Sequence, residues 1–255
     1  MAAYVTLNEL IRPRPVETAQ QQSLLASAPG RQFVIRMNTN TIIGETAPDL
    51  QVETWVQGAP ENISDLAGRV VLVEVFQVNC PGCFVHALPE VLHLHQAYHH
   101  KGLTVIGLAT AFEDFEQNTL HNLQRLVSTG ELTGEPLKQL GKAGLLQDNR
   151  LDYSLPFAIG MDRLIANRDE VTDEAIDTFI LKQLPDFDDW PDERRQPVYA
   201  RARAYLDTRL YHALTFESYQ LQGTPSSILV DRDGILRDVS FGFVDHLEPL
   251  IKDCL

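Results

Sequence analysis

The feature that most constrains this chain is Val70-Val71-Leu72-Val73-Glu74-Val75-Phe76, followed after Gln77-Val78-Asn79 by Cys80-Pro81-Gly82-Cys83. The run is dense in β-branched residues and apolar but for Glu74, which fits a buried central strand. Pro81 suits the first turn of a helix, where its missing N–H is not needed. Phe84–Tyr98 continues with helical character. Cys80 therefore falls where a strand ends and a helix begins. Helix N-terminal N–H groups and the helix dipole favour a thiolate at such a place. Cys83, one turn further on, is within reach of a disulfide formed on Cys80, as a two-electron dithiol/disulfide pair requires.

Two plainer readings compete. A C-x-x-C pair is half of a closed zinc site, which needs four ligands. The only other cysteine is Cys254, which rules out an all-cysteine site within one chain; two of the eight histidines would have to complete it. A purely structural disulfide would constrain little, because so short a loop removes little freedom from the unfolded chain. Redox chemistry is the preferred reading.

A length of 255 residues allows one enlarged domain or two small ones. The formal net charge of −14 argues against nucleic acid or an anionic membrane as partner. No window is long and apolar enough to span a bilayer. The first residues, Met1-Ala2-Ala3-Tyr4-Val5-Thr6-Leu7, have neither a basic nor an apolar leader region, so no secretory signal is expected. A C-x-x-C in a reducing compartment is catalytic more often than structural, and a cytoplasmic location is expected. No cofactor motif is found.

Residues 1–40 read as an N-terminal extension, with Thr18–Ser27 a short helix and Gln32–Met37 a short strand. From residue 41 one main domain is expected. Gln51–Val56 alternates like a half-buried strand, and Leu103–Ala109 is a second buried strand after the redox helix. Strand, helix and strand make a βαβ unit, so Val70–Phe76 and Leu103–Ala109 should be parallel. Helices are expected over Glu113–Val127 and Pro136–Leu146, and a strand over Tyr153–Met161. Thr172 can cap one further helix and Pro191 can open another, the latter carrying Tyr199, Tyr205, Leu206, Leu210 and Leu214. Ser226–Asp231, the turn Asp231-Arg232-Asp233-Gly234 and Ile235–Phe241 read as a hairpin, with Val244–Cys254 as a closing helix.

In this order, several segments resemble the thioredoxin superfamily, and within it the TlpA-like or redoxin thiol-disulfide oxidoreductases. They are Gly44-Glu45-Thr46-Ala47-Pro48-Asp49-Leu50, Asp65-Leu66-Ala67-Gly68-Arg69-Val70-Val71-Leu72-Val73, Cys80-Pro81-Gly82-Cys83, Gly223-Thr224-Pro225 and Asp231-Arg232-Asp233-Gly234. Together they cover about residues 44–110 and 219–243. The resemblance implies an α/β, thioredoxin-like three-layer fold, a central mixed β-sheet flanked by helices; the stretch of about 163–215, which it does not cover, reads as a helical insert before the cis-proline loop. It implies catalytic roles for Cys80 and Cys83, and for Glu74 as a buried carboxylate of raised pKa that shuttles the proton of Cys83. Pro81 and Gly82 would border the substrate. Thr224, with a cis Pro225, would present its backbone to an extended substrate segment.

The chain also departs from the family. Asn79 stands where many relatives have Trp, and Val75-Phe76 where Phe-Trp is usual. Pro89 lies six residues after Cys83 rather than five, so a helix kink is expected but not placed. The peroxidatic P-x-x-x-T/S-x-x-C pattern is absent, since Val73 and Gln77 occupy its first positions.

His93, His95, His99 and His100 crowd one helix end; the preferred reading is a solvated face, with a metal pair at His95 and His99 as the alternative. Cys254 reads as a spare thiol. The functional expectation is a thiol-disulfide oxidoreductase that reduces protein disulfides, partnered by a disulfide-containing protein and a thiol electron donor. The alternatives are a redox-inactive interaction platform and a peroxide-reducing redoxin. The insert is expected to form a helical subdomain that restricts access to Cys80. Its aromatic residues Phe179, Phe187, Trp190, Tyr199, Tyr205 and Tyr211 either line that contact or pack on the core.

Overall fold

The computed structural model describes residues 42–255. The helix and strand expected within residues 1–40 lie outside the described residues. Two compact units are present, one formed by residues 42–169 with 209–255 and the other by residues 170–208.

The larger unit is built on β2, Val70–Phe76, in which all seven residues are buried. It pairs in parallel with β3, Leu103–Ala109, in register Val70 to Leu103 through Phe76 to Ala109. On its other side it pairs antiparallel with β7, Ser226–Val230. With β1 (Val52–Gln57), β4 (Ala158–Asp162) and β8 (Leu236–Phe241) these make a six-stranded mixed sheet of order β1-β4-β3-β2-β7-β8. Strand alternation sorts the side chains of β2 between two layers. Val70, Leu72 and Phe76 join the layer made by α1 (Leu88–Tyr98), α2 (Leu120–Thr129), α3 (Gly134–Lys142) and α7 (Leu247–Cys254). Val71, Val73 and Val75 join Ile63, Leu66, Phe216 and Tyr219 on the other face. Each fully buried Val, Leu or Phe contributes roughly 1.5–3 kcal/mol, so two closed layers explain why the sheet needs helices on both faces. The result is an α/β thioredoxin-like fold.

The redox helix is not uniform. Its first turn begins at Pro81, Cys83–Ala87 forms a π-turn, α1 follows, and the chain ends the helix through His99–Lys101. Gly102 closes it at φ +112, a left-handed conformation that favours glycine. The π-turn ends at Ala87, two residues before Pro89.

Several boundaries differ from expectation. The helix expected over Glu113–Val127 begins at Leu120, because Asp114 has φ +48 and Thr119 Oγ1 accepts from Asn122 N–H as the cap. The strand expected over Tyr153–Met161 begins at Ala158; Tyr153–Phe157 is irregular around Pro156, which has no N–H to give to a ladder. The helix expected over Pro136–Leu146 runs from Gly134 to Lys142.

The chain leaves and re-enters the larger unit through a two-stranded ribbon, β5 (Leu164–Ala166) with β6 (Tyr211–Ala213), and β6 runs into the short helix α6 (Leu214–Ser218). The smaller unit holds α4, Asp173–Gln183, capped by Thr172, and α5, Asp192–Asp207, which follows Pro191. Leu210 and Leu214, expected on the second helix, lie past its end; Leu210 is exposed and Leu214 is buried. Ile176, Ile180, Phe187, Val198 and Ala202 form the unit's own apolar core. Phe179 stacks on Tyr205, Phe187 meets Trp190, and Tyr199 donates to Asp173 O, whereas Tyr211 packs edge-on against Phe115 in the larger unit. Among the described residues, no helix is long and apolar enough to cross a membrane.

Candidate functional site

Cys80 sits in the loop between β2 and the redox helix, and Cys83 one turn in, with Cα atoms 5.4 Å apart and the sulfurs at disulfide distance. Cys80 is 8% exposed and Cys83 is 0% exposed, so Cys83 is the more deeply buried of the two. The Cys83 N–H points at Cys80 Sγ over 3.3 Å, a bond that a thiolate at this position would accept. The Thr224–Pro225 peptide is cis, and the Thr224 carbonyl lies 3.6 Å from Cys80 Sγ. Thr224 Oγ1 donates to Gln77 Oε1 at 3.2 Å, and Gln77 Nε2 donates to Glu113 O at 3.2 Å, so the proline loop is tied to the end of β2. Pro81 is buried and Gly82 half-buried.

Glu74 is fully buried in β2. It alternates with Leu72 and Phe76, which pack in the same layer as Cys80 and Cys83, so its side chain enters that layer too. Ser227, its partner across β7, donates to Glu74 Oε2 at 2.7 Å. Among the described residues Oε1 has no hydrogen-bond partner. Burial pushes the carboxyl up to about 8, against a partial opposing effect of the Ser227 hydroxyl.

Asn79, just before Cys80, has a place that its type alone did not reveal. Its N–H donates to Asn118 Oδ1, its Nδ2 donates to Asp114 Oδ2, and its Oδ1 accepts from Glu135 N–H, each at 2.8 Å. Gly134, at φ +57, leaves room for this: a Cβ there would meet Asn79 Oδ1 at 2.1 Å. One side chain thus joins the redox loop to the 113–118 segment and to the start of α3. Gln77 and Tyr153 were also not singled out from sequence. Tyr153 Oη donates to the Phe84 carbonyl at 2.9 Å within the redox helix. These are contacts over 36 to 147 positions, which periodicity and spacing cannot register.

The remaining candidates stay apart from this site. His95 and His99 stack at 5.0 Å and His99 meets His100 at 5.4 Å, yet among the described residues no group of three or more His, Cys, Asp or Glu is placed to hold a metal. Cys254 is a free, half-buried thiol near the end of α7.

Residues 42–142 match the Redoxin family model. The Protein DipZ of Mycobacterium bovis and that of Mycobacterium tuberculosis are each 37% identical over 76 residues, 28% of this chain. The match spans only 11% of the length of either relative. The crystal structure of a thiol-disulfide isomerase from Corynebacterium glutamicum is 25% identical, with a TM-score of 0.50 over 83% of this chain and 96% of that one. Sheet order, a cysteine pair at disulfide distance and the Redoxin match agree: the chain has a thioredoxin-like fold, and its residues 42–142 are similar to the Redoxin family.

Proposed function

We propose that the protein reduces disulfides of partner proteins through Cys80 and Cys83. The carrying observation is the unequal burial of two cysteines whose sulfurs are held at disulfide distance beside the Thr224 carbonyl. The Cys80 thiolate attacks one sulfur of the partner disulfide; the other leaves as a thiolate, and a mixed disulfide forms. Cys83, deprotonated, then attacks Cys80 Sγ, which releases the second partner thiolate and leaves Cys80–Cys83 oxidised. Two electrons pass to the partner, and a thiol donor restores the dithiol.

Glu74 moves the proton of Cys83. With its carboxyl pushed up to about 8, roughly one in ten is ionised at pH 7 and available to accept it. The Thr224 backbone beside cis Pro225 pairs with an extended partner segment, and Pro81 and Gly82 border it. Low cysteine content suits a reducing compartment, and the cytoplasm is the location proposed. Cys83→Ser should hold partner proteins as mixed disulfides on Cys80, released by dithiothreitol. If Cys83→Ser captures no more than Cys80→Ser does, the reading fails.

A further inference from the structure

The π-turn leaves one carbonyl of the redox helix without its usual partner. An α-helix would satisfy Phe84 O with the N–H of Leu88, and a continued π-turn with the N–H of residue 89. Leu88 N–H instead goes to Cys83 O, and residue 89 is Pro89, which has no N–H. Phe84 is 1% exposed, so water cannot readily take the place of either donor. The Tyr153 hydroxyl fills this gap at 2.9 Å. Burial holds that hydroxyl above the usual tyrosine range, so it remains a donor across physiological pH. The bond comes from an irregular segment before β4 and reaches the residue next to Cys83.

We propose that Tyr153 is a positioning residue of the redox pair: by satisfying the Phe84 carbonyl it holds the π-turn that Cys83 opens, and thereby sets the Cys80–Cys83 disulfide equilibrium. Without the hydroxyl, Leu88 N–H is drawn back to Phe84 O, the turn shifts toward α register, and Cys83 O must exchange Leu88 N–H for Ala87 N–H, which moves the peptide that follows Cys83. The geometry that keeps the sulfurs at disulfide distance is then less favoured. This rests on the proposed exchange through Cys80 and Cys83, but it is read from the pair's own equilibrium and needs no partner protein.

The test is a titration of the full chain in glutathione redox buffers, with Cys254→Ser in every sample, read by the fraction of Cys80–Cys83 disulfide. Tyr153→Phe should shift the equilibrium toward the dithiol by about threefold to tenfold, the scale of one hydrogen bond. Pro89→Ala returns an N–H to the turn, so Tyr153→Phe made in the Pro89→Ala background should shift it by less than about twofold, a rescue that loss of ring packing would not show. An equal shift in both backgrounds, no shift in either, or a Tyr153→Phe protein that fails to fold even with Pro89→Ala overturns the proposal. If the shift and its rescue appear but the wild type reduces no protein disulfide, the positioning role stands and the proposed function falls.

Discussion

Ser227 Oγ donates to Glu74 Oε2 at 2.7 Å across the β2–β7 pair, and this is the one protein hydrogen bond that the described residues give the Glu74 carboxyl. A single neutral donor offsets only a fraction of the cost of burying a charge. The carboxyl is therefore held protonated well above the ordinary range, to about 8. That places a titratable carboxyl in the layer that contains buried Cys83.

Glu74→Gln keeps the shape and the hydrogen bond to Ser227 but removes the titration. Release of a preformed mixed disulfide on Cys80 should slow about tenfold or more at pH 7. The rise of that rate toward pH 8 should flatten. Single-turnover kinetics between pH 6 and 9 read both, and an unchanged rate and profile would remove Glu74 from the mechanism.

The same group predicts a stability trend. The folded pKa, about 8, lies above the unfolded value near 4.5. Well below pH 4.5 both states are protonated and the ionisation of Glu74 costs no stability; as pH rises the unfolded state alone gives up its proton, until the folded carboxyl also ionises near 8. The oxidised protein should therefore lose about 1.4 kcal/mol per pH unit of stability across that window through this group. Urea unfolding of wild type and Glu74→Gln at pH 5 and pH 7 should show the variant gaining relative stability at the higher pH. Parallel curves would contradict the raised pKa.

Gly134→Ala forces a side chain into the place of Asn79 Oδ1. Gly144, at φ +70 with nothing within 4 Å of a Cβ, supplies the control. Gly144→Ala should cost about 1–2 kcal/mol for the left-handed backbone alone. Gly134→Ala should cost clearly more and should also alter the alkylation rate of Cys80, because Asn79 must move. Equal urea midpoints and an unaltered alkylation rate would show that the Asn79 contacts do not matter.

Residues 170–208 carry their own apolar core of Ile176, Ile180, Phe187, Val198 and Ala202. Replacing them with a short Gly/Ser linker, while keeping β5, β6 and the His212–Glu217 contact, should leave the larger unit folded. A cooperative unfolding transition of the shortened protein, with the Cys80–Cys83 disulfide still forming, is the expected result. Loss of cooperative unfolding would show that the larger unit depends on the insert.

What the sequence made legible is what local pattern encodes. The β2 run, the Cys80–Cys83 spacing, Thr172 as a cap and the Asp231–Gly234 turn each have a short-range physical signature, and the β2–β3 and β7–β8 pairings follow from such signals. Thr119 ahead of Leu120 carried the same capping signal, which the apolar positions Phe115 and Leu123 obscured; Asp114 breaks the helix with a positive φ that aspartate tolerates. Asn79, Gln77 and Tyr153 act through partners far along the chain. In the sequence Asn79 is no more than a departure from the family pattern; its role lies in the contacts with Asn118, Asp114 and Glu135.

The most direct test of the account is disulfide exchange by the reduced protein. Insulin serves as a disulfide-bonded probe, dithiothreitol as the thiol donor, and wild type is compared with Cys80→Ser, Cys83→Ser and Cys254→Ser. Wild type and Cys254→Ser should accelerate insulin reduction equally, Cys80→Ser should fall to the uncatalysed rate, and Cys83→Ser, whose mixed disulfide waits for dithiothreitol to release it, should be slower than wild type. Wild type indistinguishable from Cys80→Ser would contradict it.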